Sequence, residues 1–389
     1  MAFIESQSDE VSSLFEQVGD YATHESVKRL RKDGDSAGGT GSEPRPDGGR
    51  AGTGRGRAGR VLLVTHPEFL PPADIKGPAK EGTAWQAEQD VIWGLRCLGY
   101  EVDALGVLDD LLPLETSIKN FRPHVVFNLL EEFDGVAKYD QNVVSYLECL
   151  NQRYTGAGPK GLLLARDKPL AKTIVAQEGV LTPAHMVVRR GRKVSPECAA
   201  LLPAIVKSAS EDASLGIAEA SVVRDVEALE KRVAFMHEQL NSDALVEKFV
   251  EGDDLYVSVV GNHRLETYPP RRLSFPEGGP RIATRRAKWN DAYRKKHQIV
   301  SGPLKDKTLE KVAFAAAKRA FEALGLNGYA RMDFRLDREG KLYFLEANPN
   351  PHLGRKEDFA SSALQAGFSY SALLQKIVSL GMRWRAGHD

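Results

Sequence analysis

The chain has 389 residues, with Lys plus Arg and Asp plus Glu balanced at 53 each. That length suits two or three domains, and the balance gives no net charge to draw the chain to nucleic acid or a membrane surface. Three cysteines (Cys97, Cys149, Cys198) stand far apart with no CxxC, which argues against a disulfide framework and reads as reduced thiols in a cytoplasmic protein. No apolar run approaches 18 residues and the acidic N-terminus has no apolar signal core, so neither a transmembrane helix nor a secretory leader is expected.

In chain order, residues 1 to about 32 carry a weak amphipathic pattern (Val11, Leu14, Phe15, Val18, then Val27 and Leu30). Residues 34–60 hold ten glycines, several arginines and almost nothing apolar. Such a segment buries too little surface to order itself. Residues 1–59 are therefore expected to be a disordered Gly/Arg-rich extension outside the fold. An Arg/Gly tract can bind RNA weakly, but no specific nucleic-acid partner is expected.

Arg60–Thr65 is short and apolar, the pattern of a buried parallel strand. A helix over Trp85–Leu98, a strand over Glu101–Leu105, a helix over Leu108–Ile118, a strand over His124–Leu129 and a helix over Asp140–Cys149 follow. This alternation predicts an N-terminal α/β domain over 60–155. Ligands of such sheets sit beyond the C-terminal ends of the strands. That puts His66, Glu68, Asn128, Glu131 and Glu132 near a site, although each alone reads better as a plain polar loop residue.

Tyr154–Pro159 is a turn-rich junction, and the helix over Asp167–Glu178 places Lys168 and Lys172 on one face. Strands are expected over Ala184–Val188 and Leu201–Lys207, the second ending in a lysine. The small residues of 208–216 follow it directly; their backbone N–H groups can cradle a phosphate, but a plain surface loop is the default reading of this stretch alone. The helix over Asp225–Leu240 carries a core stripe of Val226, Leu229, Val233, Met236 and Leu240. Strands Ala244–Val250 and Asp254–Val260 come next, then a long basic loop over 270–307 and a helix over Thr308–Leu324.

Two runs, Tyr329–Leu336 and Lys341–Ala347, flank Asp337–Gly340 and predict a β-hairpin. Arg331, Asp333 and Arg335 share one face of its first strand at period 2. Asp333, Glu346 and Asn348 are oxygen ligands of the kind that hard cations share with substrate phosphates. A solvated surface hairpin is the plainer alternative. Helices over Lys356–Ala366 and Tyr370–Ser379 end the chain. A central part over 156–250 and a C-terminal part over 251–389 complete the expected domains.

Taken in order, these features resemble the ATP-grasp superfamily, in its D-alanine–D-alanine ligase branch, from about Val61 to Trp384. The resemblance implies an α/β fold, α+β in its C-terminal part, with a small parallel-sheet domain, a central lid and a catalytic subdomain. Lys168 and Lys207 resemble the two nucleotide lysines, and Glu211 to Gly216, with Ser214, the loop that covers the phosphates. Glu247, Lys248, Phe249 and Val250 resemble the hinge that faces adenine, and Asp254 the acid on the ribose hydroxyls. Lys288, between Ala287 and Trp289, resembles the mobile-loop lysine that reaches the γ-phosphate. Arg331 matches the arginine that steadies the acyl-phosphate, and Asp333, Glu346 and Asn348 match the ligands of two Mg²⁺ ions, for which Mn²⁺ can substitute. Implied with these are ATP, small amino-acid-like substrates, ADP-forming carboxylate–amine ligation and, in the family's usual assembly, a homodimer.

The sequence departs from the family on the amino-acid side. Ala213 stands where a serine precedes Ser214's match, and Trp289 where a hydroxylated aromatic follows the loop lysine. Glu68 and Glu81 are both candidates for the family's N-terminal glutamate. After Asn348-Pro349 the family's Ser-Pro-Gly-Met-Thr-Ser is replaced by Asn350-Pro-His-Leu-Gly-Arg355-Lys356. Arg355 or Lys356 either holds a carboxylate or is surface charge. The alternatives to dipeptide formation are a tailoring ligase with another acid or amine, and a non-catalytic ATP-binding module.

Overall fold

The computed structural model describes residues 59–209, 218–276, 282–284 and 291–384. The expected N-terminal extension lies outside the described residues except for Gly59. Among the described residues, no helix is long and apolar enough to cross a membrane.

β1 (Arg60–Thr65), α1 (Gln86–Cys97), β2 (Glu101–Gly106), α2 (Leu112–Phe121), β3 (Val125–Asn128) and α3 (Asp140–Cys149) form the first layer. Its three strands are parallel in the order β2-β1-β3. β1 is buried on both faces, as its unbroken apolar run requires. Leu62 and Val64 pack with Leu114, Val126 and Val143, while Val61 and Leu63 pack with Val91, Leu95 and Leu374. Gly99, at φ +85°, ends the turn after α1 in a conformation that L side chains rarely adopt.

α4 (Pro159–Arg166) and α5 (Lys168–Gln177) follow. α4 lies between the turn-rich junction and the helix expected from Asp167, in a stretch for which no element was expected. Pro159 occupies the first helical turn, where its fixed φ fits and its missing N–H is not needed, and Leu162 and Ala165 then bury an apolar face. Asp167 caps α5 by accepting from the Leu170 N–H at 3.1 Å.

β4 (His185–Val188), α6 (Pro196–Ala199), β5 (Ala204–Ser208), β6 (Val222–Val223), α7 (Val226–Gln239) and β7 (Ala244–Lys248) make an antiparallel sheet in the order β4-β7-β5-β6. The α7 stripe behaves as core through Leu229, Val233 and Met236, which pack on Val206 and Val246. Val226, at the helix start, is exposed.

The largest sheet contains β8 (Gly252–Val260), β9 (Glu266–Thr267), β10 (Arg271–Ser274), β11 (Val300–Pro303), β12 (Tyr329–Asp337) and β13 (Leu342–Asn348). Its order is β11-β10-β8-β12-β13, with β9 also on β8. α8 (Asp291–Lys296) and α9 (Lys307–Ala323) lie between its strands in sequence. The 270–307 stretch is therefore not one long loop: β10, α8 and β11 fall inside it. Basic residues obscured the pattern, because only Leu273 of β10 turns inward, to Tyr256 and Ile299. Gly252 opens β8 at φ +152°, where a β-carbon would fall 1.9 Å from the Leu336 carbonyl oxygen, so the start of this strand requires glycine.

α10 (Asp358–Gln365) and α11 (Tyr370–Arg383) close the described chain. α11 returns to the first layer, where Leu373, Leu374, Ile377 and Val378 join the core of β1 and α1. A β-carbon at Gly94 would come within 2.4 Å of Leu374, so α1 and α11 pack with little space between them.

One acid beside β1 gives a measurable consequence. Glu88 is buried on α1 and accepts from the Thr65 hydroxyl at 3.0 Å. Burial pushes its carboxyl up to about 7, with Glu131 adding to the rise. A raised carboxyl stabilises the fold fully below pH 4.5, and this contribution is lost as the pH rises through about 7. Glu88→Gln is expected to match the wild type in urea unfolding at pH 4 and to exceed it at pH 8 by about 3 kcal/mol. Equal stability of the two proteins at pH 8 would contradict this account.

Candidate active site

The β12–β13 hairpin forms the floor of the site. Arg331 lies opposite Asn348 in register and Asp333 opposite Glu346, while Phe334 pairs with Phe344. One extra residue, Leu345, is inserted on β13 at this point. Such a bulge re-aims neighbouring side chains. On one side Phe334 and Phe344 stay in the core, edge to face at 5.8 Å. On the other, Leu345 and Glu346 join Asp333 and Arg335 in lining a cleft.

Arg331 grips Asp333 through two bonds, Nε to Oδ1 at 2.7 Å and Nη2 to Oδ2 at 2.8 Å, and stacks over the Tyr256 ring at 4.8 Å. Burial works against its charge, yet the Asp333 carboxylate overrides burial and holds the guanidinium well above its usual range. Asn348 Oδ1 accepts from the Asn350 N–H at 3.0 Å. Asn350 is itself fixed by the Tyr329 hydroxyl at 3.2 Å and by donating to the Leu130 carbonyl at 3.2 Å. Among the described residues, no group of three or more His, Cys, Asp or Glu could hold a metal. Asp333 and Glu346, opposite each other in register, and Asn348 on the same strand as Glu346 are oxygen donors of the kind that a hard cation shares with phosphate oxygens and water.

Three lysines approach the floor from neighbouring elements. Lys168, at the start of α5, is buried and lies 3.7 Å from Glu346. One turn on, Lys172 is fully buried, 2.7 Å from Glu247 Oε2, and donates to the Phe344 carbonyl at 3.2 Å. Lys207, on β5, stands 3.4 Å from the same Glu247 on β7. Burial lowers Lys172 to about 8, against the pull of Glu247. Burial alone would raise Glu247, but Lys172 and Lys207 reverse it and hold the carboxyl below its usual range.

Pro183, Ile205, Phe249, Ile282 and Leu345 supply apolar lining to the cleft, whose polar groups include Lys207, Glu247 and Asp254. Arg335 binds Asp254 at 2.6 Å and the Val250 carbonyl at 2.9 Å, and lies over the rings of Phe249 at 5.7 Å and Phe275 at 5.3 Å. This guanidinium ties the 249–254 connection to β12.

The structure thus gathers Lys207, Glu247, Phe249, Val250, Asp254, Asp333 and Glu346 around one cleft. Lys168 and Arg331 reach it through Glu346 and Asp333, and Asn348 lies opposite Arg331. Lys248, the last residue of β7, is exposed. Glu211, Ala213, Ser214, Gly216, Ala287, Lys288 and Trp289 lie outside the described residues. Glu81 pairs with Lys356 at 2.7 Å, and Arg355 stacks on Trp93 at 4.8 Å. Sequence reasoning placed Lys172 beside Lys168 but gave it no role. It also missed the Arg335–Asp254 pair, for which the shared face with Arg331 and Asp333 was the available signal. Lys172→Met keeps most of the volume but leaves Glu247 to Lys207 alone. Urea unfolding is expected to show a loss of about 3 kcal/mol, and an unchanged midpoint would contradict the role given to this pair.

Comparison with known proteins identifies the family. The family model described as D-ala D-ala ligase C-terminus matches residues 174–379. A D-alanine–D-alanine ligase of Syntrophotalea carbinolica is 32% identical over 288 residues, covering 73% of this chain and 86% of that protein. The uncharacterized protein y4sG of Sinorhizobium fredii is 30% identical over 279 residues, covering 69% and 80%. The crystal structure of a D-alanine–D-alanine ligase from Bacillus anthracis complexed with ATP shares the fold, with a TM-score of 0.63 at 20% identity, covering 84% of this chain and 98% of that one. The chain belongs to the D-alanine–D-alanine ligase family and is an ATP-grasp ligase that forms a C–N bond.

Proposed function

We propose that the chain uses ATP to join an amino-acid carboxylate to an amine, releasing ADP and phosphate by way of an acyl-phosphate. The observation that carries this reading is the pairing of Asp333 with Glu346 across the hairpin, with Arg331 on one side and Lys168 on the other. A free carboxylate is a poor electrophile, and transfer of the γ-phosphoryl group gives it a good leaving group. Phosphoryl transfer depends on alignment and charge neutralisation more than on covalent help from the protein.

ATP fits the cleft with its base among Ile205, Phe249 and Leu345 and with Asp254 toward the ribose. Asp254 meets that role already held by Arg335 at Oδ1, with the Tyr256 hydroxyl donating to Oδ2 at 3.5 Å, so a ribose hydroxyl would be a further donor to this carboxylate. Lys168 and Lys207 supply positive charge to the phosphates. Asp333, Glu346 and Asn348 would hold Mg²⁺, which neutralises phosphate charge when bound. Arg331, a planar fork of donors, suits the oxygen of a tetrahedral intermediate. Ser214 in the phosphate-covering loop, with Glu211 and Gly216, and Lys288 at the γ-phosphate complete the proposal from the sequence resemblance.

Dipeptide formation between amino acids, with D-alanine as the first substrate to test, is the reading that family membership favours. A tailoring ligase with a different acid or amine is the second. It is favoured by the replacement of the family's segment after Asn348-Pro349, where the exposed Arg355 and Lys356 lie against Trp93 and Glu81. Phosphate release measured across a panel of D- and L-amino acids separates the two: release with D-alanine alone supports the first, and release only with another acid or amine the second. Glu346→Gln is expected to lower turnover with any active pair by at least about 100-fold at an unchanged melting temperature. Wild-type turnover in that variant would sink the role given to the hairpin.

A further inference from the structure

Asn350 lies two residues past the end of β13, between Pro349 and Pro351. The two proline rings fix φ on either side of it, and each holds the residue before it in extended backbone. Pro349 has no N–H, so the first backbone donor after Asn348 is that of Asn350. It donates to Asn348 Oδ1 at 3.0 Å. A carboxamide oxygen has two lone pairs, and this bond leaves one for a cation. Glu346 and Asn348 pair with Asp333 and Arg331 in register, with the buried Ala347 and Met332 between them on the other face. The oxygens of Glu346 and Asn348 therefore belong to one face of the hairpin.

The Asn350 side chain is buried and held at both ends. The Leu130 carbonyl, 3.2 Å away, can only accept, so the amide nitrogen must face it. The amide oxygen then faces the Tyr329 hydroxyl, which donates to it at 3.2 Å. Both anchors are themselves fixed. Leu130 is buried just beyond β3, where its N–H donates to Asn128 Oδ1 at 3.2 Å. Tyr329, the first residue of β12, is fully buried with its ring edge-on to Phe359 of α10 at 5.7 Å. Asn350 is thus a strut between the first layer and the floor of the site, and its backbone N–H is the end that touches Asn348.

Resting on the metal reading above, we propose that Asn350 is a positioning residue for the cation site. Its side chain fixes the backbone N–H that aims the Asn348 carboxamide oxygen at the face shared by Asp333 and Glu346. Groups that hydrogen-bond a ligating side chain set its orientation and tune its oxygen. Without the strut, the Asn348 amide presents its NH₂ group as readily as its oxygen, and the cation loses one of its three protein donors for part of the time. Through Leu130, the strut also makes cation affinity depend on the first layer, which itself supplies none of the three donors.

The test uses the full chain with ADP bound and Mn²⁺ as the probe, the free ion being followed by its EPR signal. Asn350→Ala is expected to weaken Mn²⁺ binding about 10-fold. Its affinity for ADP in EDTA is expected to stay at the wild-type value, because Asn350, Leu130 and Tyr329 are not among the residues that line the cleft. Tyr329→Phe keeps the ring and removes one anchor, so a smaller loss is expected. The double variant is expected to lose no more than Asn350→Ala, since both changes release the same strut. Glu346→Gln, which removes a charged donor, is the control for the site itself. Wild-type Mn²⁺ affinity in Asn350→Ala or in Tyr329→Phe, with Glu346→Gln weakened, would overturn the proposal alone. Equal losses of Mn²⁺ and of metal-free ADP would overturn it too. If Glu346→Gln keeps the wild-type Mn²⁺ affinity, it is the metal reading that fails, and this inference falls with it.

Discussion

The site depends on a buried carboxylate set between two buried ammonium groups. Glu247 on β7 meets Lys172 from α5 and Lys207 from β5, and Lys172 also donates to the β13 backbone at Phe344. Desolvating three charges together is tolerated only when each is paired and further hydrogen-bonded. The pairing ties the four-stranded sheet to the hairpin that carries Asp333 and Glu346. It also leaves one net positive charge under the cleft, where an anionic substrate can answer it. Arg335 makes a second tie, between β12 and the connection that leads from β7 to β8.

Much of this was legible in the sequence, and for definite reasons. The hairpin turn at Gly340, the buried run of β1 and the 3.6-residue stripe of α9 are local patterns, and local patterns survive without knowledge of the partner. Lys207, Glu247, Phe249, Val250, Asp254, Asp333 and Glu346 of the cleft were named from the family resemblance, whereas its apolar lining by Pro183, Ile205, Ile282 and Leu345 was not. What escaped were features made by distant pairing. Lys172 was visible as the helical neighbour of Lys168, but only Glu247, 75 positions later, gives it a role. Arg335 shares a face with Arg331 and Asp333, yet its partner Asp254 lies on another strand. β10 and β11 were lost because short strands with a single inward apolar residue carry almost no period.

The bulge at Leu345 shows how a single residue reconciles core and site. A strand of strict alternation that put Phe344 in the core would also turn Glu346 toward the core. The inserted residue lets Phe344 remain buried against Phe334 while Glu346 faces Asp333 across the pair. Beyond Asn348 the chain no longer follows its family, and there the physical chemistry changes as well. The cleft keeps paired charges and apolar walls, while the segment after Asn348 carries a neutral imidazole, His352, and a half-buried acid, Glu357. Family membership sets aside the non-catalytic reading, and the altered segment concerns which molecules are joined rather than how.

The central claim is that ATP activates the acid as an acyl-phosphate on this hairpin. The most direct measurement follows oxygen from an acid labelled with ¹⁸O in its carboxylate. The account predicts ADP as the nucleotide product and one ¹⁸O atom in the released inorganic phosphate for each bond formed. AMP bearing the label, or ADP with unlabelled phosphate, would contradict it.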